Sequence, residues 1–336
     1  MILKKETRQD NEGQLQVCVF GQNQGQPLRD ADVQITPRGD SADVLMEEFT
    51  DDSGQTALIN LPSPPVEFSL SPNSEKPYST YDVMVRLNGF NPTLIQGVQI
   101  FSGEIAIQNV FLRESFGGNS LVIISINDNT LWGNFPPKIY EEEVKPLPPP
   151  SDLVVLPEPV IPEYIIVHAG LPTNSSAPNY WVPFRDYIKN VASCEIYSTW
   201  PEETIKSNVL AIISFTLNRV FTEWYRNKGY NFTITNSTAY DHAFDYGRNI
   251  YANISVIVDE IFNNYITRPN IRQPLLAQYC DGIRVSCPNW MTQWGSKDLG
   301  DKGYDAVSIL RNFYGQDIYL RTAEKVEGVP SSFPRK

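Results

Sequence analysis

The sequence predicts a multidomain chain: an all-β sandwich in the N-terminal half, a proline-rich connection, and an α+β domain in the C-terminal half. Three observations predict it. Between residues 14 and 115, short apolar runs alternate with polar residues and are separated by turn signals. Residues 136–162 hold nine prolines. From 164 to 325, apolar side chains recur at helical spacing. A length of 336 residues leaves room for about two domains of roughly 150 residues each. The tails 1–13 and 326–336 fall outside both domains, and 116–163 form the connection.

In the first half, Leu15, Val17 and Val19 alternate as a half-buried strand does, and residues 31–36 give a second strand. Asp51, Asp52, Ser53 and Gly54 make a turn, with a strand following at 57–59. Residues 81–87 alternate again and end at the Asn88-Gly89 turn. Runs at 98–101, 105–107 and 110–112 complete the set. No catalytic constellation stands out in this half. The connection contains the acidic run Glu141, Glu142 and Glu143 and the triple Pro148, Pro149 and Pro150. Such composition favours extended, exposed chain that a protease can reach.

In the second half, Phe184, Tyr187, Ile188 and Val191 form one apolar face of a short helix. Thr199, Pro201 and Glu202 read as a capping box opening the next helix. That helix, 205–224, is apolar on nearly every side and is therefore expected in the core. A third helix is expected at about 246–265 and a fourth at 306–314, with an irregular stretch between them.

Composition excludes several classes. The chain is 41% hydrophobic and 20% charged, which fits a folded protein. Lys and Arg total 27 against 39 Asp and Glu, a net charge of −12, and no basic run exists. Neither nucleic acid nor an anionic membrane is an expected partner. No apolar stretch reaches the roughly 18 residues that span a bilayer. With two histidines, His168 and His242, no metal site and no cofactor are expected. The N-terminus lacks the apolar core of a Sec signal peptide.

Glu195 is the candidate catalytic residue. Cys194, Ile196, Tyr197 and Trp200 surround it in sequence, and apolar surroundings disfavour the charged carboxylate. Such a carboxyl can hold its proton near neutral pH and act as a general acid. The competing reading is a solvated inter-helix Glu. Glu202, Glu203, Asp241 and Asp245 read as helix-start or loop residues. Cys280 and Cys287 read as a disulfide-closed turn, two free thiols, or half a zinc site.

Residues 187–211, YIKNVASCEIYSTWPEETIKSNVLA, resemble the signature of SpoIID-type lytic transglycosylases. A second block resembles the closing segment of that family: Met291, Gln293 and Gly295, then Gly303, Tyr304, Ile309, Leu310, Tyr314 and Gly315. The ordered stretches 25–33, 50–54, 81–85, 89–91 and 110–112 resemble a transthyretin-like or carboxypeptidase-regulatory module. The whole chain is similar to spore cortex-lytic enzymes of the SleC type. The resemblance implies a SpoIID-like catalytic domain with Glu195 as catalytic acid and base. It implies Lys206, Tyr279, Gln293 and Trp294 as substrate contacts and peptidoglycan glycan strands as substrate. It also implies a zymogen in the spore cortex or coat region, made in the mother cell and cut near 150–155 by a subtilisin-like germination protease. Two departures stand out. Ile213 occupies a position where the family usually has Arg, and the chain ends at Lys336, where such enzymes continue into a wall-binding region. They favour the alternative, a non-catalytic wall-binding or structural protein of a spore coat, tail or spike.

Overall fold

The computed structural model describes residues 11–22, 25–72, 75–115, 117, 120–147 and 158–325. Two units emerge. Residues up to Asn127, with Tyr197–Thr199 and Tyr246–Asn253, make the first. Asp128–Ile196, Trp200–Asp245 and the chain from Ile254 on make the second.

The first unit contains β1 (Glu12–Gly21), β2 (Asp32–Pro37), β3 (Met46–Phe49), β4 (Ile59–Pro62), a single turn of helix α1 (Glu67–Leu70), β5 (Ser79–Arg86), β6 (Thr93–Ile100), β7 (Ile105–Leu112) and β8 (Val122–Ser125). One sheet has the order β3-β2-β5-β6-β8. In the other, β1 lies between β4 and β7, and Ile250–Tyr251 adds antiparallel to the outer edge of β7. Leu15, Val17 and Val19 of one sheet, and Val33, Ile35, Val83 and Val85 of the other, are fully buried. Their period of two is what puts one face of each strand into the core. The strands expected at 105–107 and 110–112 are one continuous strand, β7. The all-β expectation holds here, with β3 and β8 as additions that their sequences do not mark.

The second unit opens with irregular chain and continues through β9 (Val160–Ile161), β10 (Tyr164–His168), β11 (Asn179–Pro183), α2 (Phe184–Glu195), α3 (Glu202–Phe221) and β12 (Ile234–Thr235). The Ile250–Tyr251 pair is β13, followed by α4 (Ala252–Ile261), β14 (Asn264–Thr267), β15 (Tyr279–Cys280), β16 (Met291–Thr292), α5 (Gln293–Asp301), α6 (Ala306–Tyr314), β17 (Tyr319–Thr322) and β18 (Glu324–Lys325). Helix α3 runs through the middle: Ile205, Val209, Ile212, Ile213, Phe215 and Leu217 are buried, as its all-round apolarity requires. Helices and small sheets together give a mixed α and β unit.

Three expectations are corrected. The capping box at Thr199 does not form: α3 starts at Glu202 behind Pro201, with no side-chain cap. The third helix is Ala252–Ile261, shorter than 246–265, because residues 250–251 are taken up in strand pairing. The connection is not uniformly exposed spacer. Asn129, Leu131 and Lys145 are buried, and residues 128–147 belong to the second unit. The expected cleavage region 150–155 and the C-terminal tail lie outside the described residues. Among the described residues no helix is long and apolar enough to cross a membrane.

Candidate functional site

Glu195 is the last residue of α2, held there by the buried apolar face of Tyr187, Ile188 and Val191. A helix end leaves carbonyls without partners. Here other segments supply the donors. Asn129 Nδ2 donates to the carbonyls of Ser193 and Ile196 at 3.2 and 3.1 Å, and Thr130 N–H to that of Cys194 at 2.9 Å. Gln293 Nε2 donates to the Glu195 carbonyl at 2.8 Å. The backbone carrying the carboxyl is thus fixed from two sides.

The Glu195 side chain lines a cavity of about 390 Å³, together with Thr130, Phe135, Pro136, Lys138, Tyr279 and Gln293 among others. The residue is 4% exposed, and Oε1 accepts the Ala243 N–H at 2.6 Å. Burial pushes the carboxyl above its ordinary range, while the positive charge of Lys138, the Tyr279 hydroxyl and the Ala243 N–H pull it partly back. Lys138 makes no ion pair with it within 4.0 Å and acts at longer range. Burial lowers Lys138 in turn, against the charges of Glu195 and Asp241. The lysine ammonium donates to the Asp241 carbonyl and sits 5.1 Å from the Tyr279 ring. Tyr279 is buried, and its hydroxyl faces the carboxyl without closing a hydrogen bond of ordinary geometry. A buried hydroxyl with no partner is costly and therefore marks a place where a ligand atom can complete the set.

The other cavity carboxylate, Asp281, is committed. Its oxygens accept the N–H groups of Ile283, Arg284 and Val285 at 2.9–3.1 Å, shaping the loop from 281 to 286. A disulfide between Cys280 and Cys287 closes that loop, so the free-thiol and zinc readings do not describe it. Arg284 also donates to the carbonyls of Trp132 and Gly133. The loop therefore forms a braced wall.

Tyr279 and Gln293 line the Glu195 cavity. Lys206 does not: it pairs with Glu202 and Glu203 on the first turn of α3, at 2.5 and 3.4 Å. Trp294 packs against Trp200, with ring centroids 5.0 Å apart, rather than facing the cavity. The two histidines play different parts. His168 is fully engaged, with Asn179 and the Leu171 carbonyl on its two nitrogens. His242 stands behind the site, bonded to the Tyr187 hydroxyl at 3.0 Å through Nδ1, with Nε2 unpartnered. Burial, then the charges of Lys138 and Arg219, hold it well below its ordinary range and hence neutral.

Sequence reading missed Lys138, Thr130 and Asn129, which come from the proline-rich side, and the Ala243 N–H. It also missed the buried charge cluster beside the site. Arg219 Nε meets Asp241 at 2.8 Å, and its two terminal nitrogens meet Glu141 at 2.5 and 3.0 Å. Asp241 further accepts from Tyr225 and twice from Thr235. An arginine on an otherwise apolar helix was the available signal, since such a charge must find a partner. Among the described residues no group of three or more His, Cys, Asp or Glu gathers as metal ligands would.

No family model matches the chain, and no curated protein matches it. Among solved structures, the Bacillus anthracis TIE protein is 15% identical at a TM-score of 0.23, over 31% of this chain and 17% of that one. The 5-hydroxyisourate hydrolase of Klebsiella pneumoniae is 12% identical at 0.20, over 30% of this chain and 91% of that one. The 3-chlorocatechol 1,2-dioxygenase of Rhodococcus opacus 1CP is 10% identical at 0.22, over 33% of this chain and 63% of that one. Likenesses this slight carry no argument about activity.

Proposed function

We propose that the chain is a peptidoglycan lytic transglycosylase with Glu195 as its acid and base. One observation carries the reading: Glu195 lines the cavity with no ion pair, held by the Ala243 N–H alone at 2.6 Å, and burial favours its protonated form. A scaffold residue would instead be sealed in an ion pair. In this reading the protonated carboxyl donates to the glycosidic oxygen between N-acetylmuramic acid and N-acetylglucosamine, and the bond to muramic C1 breaks. The resulting carboxylate takes the proton of the muramic C6 hydroxyl, whose oxygen closes onto C1. The product is a 1,6-anhydro ring, no water is consumed, and Glu195 regains its proton. A group that serves both steps needs a pKa near the working pH.

The resemblance extends this proposal. The second unit is the SpoIID-like domain, the first a transthyretin-like accessory module, and the substrate is spore cortex opened during germination. A protease cut near 150–155 activates the chain. Mass spectrometry of fragments released from purified cortex tests it, with Glu195→Gln alongside. Anhydro-muramic ends that vanish in the variant support the reading. Reducing ends indicate hydrolysis, and no product from folded, wall-bound protein indicates the structural alternative.

A further inference from the structure

Residues 138–145 lie on the second unit as a bound peptide does. Two glutamine side chains read its backbone. Gln278 accepts from the Glu141 N–H at 3.1 Å and donates to the Ile139 carbonyl at 2.9 Å. Gln273 accepts from the Lys145 N–H at 2.9 Å and donates to the Lys145 carbonyl at 3.1 Å. The side chains alternate in what they meet. Glu141 takes two bonds from Arg219, and Glu143 takes two from Arg268, at 2.5 and 2.9 Å. Tyr140 stacks on Trp290 at 6.1 Å, and the Lys145 ammonium lies 4.3 Å over Trp224. Upstream, Asn129 is fully buried under the end of α2. Bidentate carboxylate–guanidinium pairs with a fully buried Arg219 are strong only while both partners stay.

We propose that residues 129–145 are a permanent strap of the Glu195 unit, retained without a covalent link when the chain is cut within 148–157, and that Lys138 on it, which lines the same cavity as Glu195 with its ammonium 5.1 Å from the Tyr279 ring, is a positioning residue for Glu195. The second half of this inference rests on the catalytic reading of Glu195; the first does not. The site is then built from both sides of the proline-rich connection. Proteolysis there leaves the cavity wall of Phe135, Pro136, Pro137 and Lys138 in place, so activation acts by some step other than removal of this segment.

The test uses the full chain with a specific protease site introduced at 150–155. After cutting, hydrogen exchange read by mass spectrometry is expected to show residues 129–145 as protected as in the intact chain, a readout that the separate pairing of β13 with β7 does not supply. Loss of that protection overturns the strap. Glu141→Gln is expected to speed exchange of 138–145 in the cut protein by about 100-fold or more, because the Arg219 charge loses a buried partner; unchanged exchange counts against the proposal. For Lys138, the carboxyl of Glu195 is titrated by carbon NMR in the intact protein. Around that carboxyl stand Lys138, the Tyr279 and Tyr187 hydroxyls and the Ala243 N–H, with neutral His242, Asp241 and Arg219 behind. Lys138→Met is expected to raise its midpoint by about one pH unit or more, since an opposite charge has gone. An unmoved midpoint removes Lys138 from its role. None of these readouts needs wall substrate, so they stand or fall apart from the transglycosylase reading.

Discussion

Arg219→Met perturbs the buried cluster at its centre. The arginine side chain is wholly enclosed and makes four bonds: one to Asp241, two to Glu141 and one to the Tyr240 carbonyl at 3.1 Å. Methionine keeps much of the apolar contact with Phe215 and Trp224, whose ring centroids lie 4.7 and 5.2 Å from the guanidinium carbon. Packing loss is therefore small. Electrostatic loss is not. Asp241 Oδ2 keeps the donors of Tyr225 and Thr235, but Oδ1 is left as a buried charge with no donor, while Glu141 retains Lys145. Removing one partner of a buried pair costs about 3–5 kcal/mol. For a unit of this size that lowers Tm by about 10 °C. All six tryptophans lie in the second unit, so their fluorescence during urea unfolding reports that unit. Arg219→Met with Asp241→Asn is expected to recover part of the loss, because the stranded charge goes too. A loss below about 1 kcal/mol, or no recovery in the double variant, refutes the reasoning.

Five further outcomes follow from the site and the sheets. On the proposed reaction, Glu195→Gln is expected to lower release of anhydro-muramic fragments by about 10²–10⁴-fold. The same variant should be the more stable protein at neutral pH in urea titrations. The native carboxyl sits above its unfolded range, so its contribution is full at low pH and is lost as pH rises through the folded pKa. Tyr279→Phe removes a hydroxyl that faces the Glu195 carboxyl, so the midpoint of that carboxyl should rise further in a carbon NMR titration, and an unmoved midpoint would show that the two do not interact. Reducing the Cys280–Cys287 bond should cost about 2.5 kcal/mol by loop entropy and slow turnover, measured with and without reductant. In the first unit, burial pushes Glu104 up to about 7, so stability should fall from about pH 4.5 to 7, and Glu104→Gln should flatten that fall in a pH series of melts.

Periodic features were legible in the sequence because period follows directly from geometry. Leu15, Val17 and Val19 marked β1, and Phe184, Tyr187, Ile188 and Val191 marked α2 to its end at Glu195. The burial of Glu195 was hinted at by its apolar neighbours, which left a solvated position equally open, while Tyr279 and Gln293 entered only through the proposed resemblance. What escaped had long-range causes. Helix α3 is capped two residues beyond the apparent cap Thr199, and residues 250–251 leave a helical pattern to pair with a strand far upstream. Composition hid the strap: prolines suggested an exposed spacer, while the fold is set by Glu141, Glu143 and Lys145 finding Arg219, Arg268 and Trp224. Lys206 looked like a ligand contact, yet its two neighbouring glutamates hold it at i−4 and i−3.

The pairing of Ile250 with Ile107 has a consequence for synthesis. The ribosome delivers β13 roughly 140 residues after β7, a lag of about 7 to 28 s at ordinary elongation rates. During that interval one edge of the first unit's smaller sheet has open N–H and C=O groups, a template for a neighbouring nascent chain. A ribosome stalled between these two points would present a nearly finished sandwich with a sticky side. Chaperone demand during translation should therefore concentrate there, before the second unit has been completed.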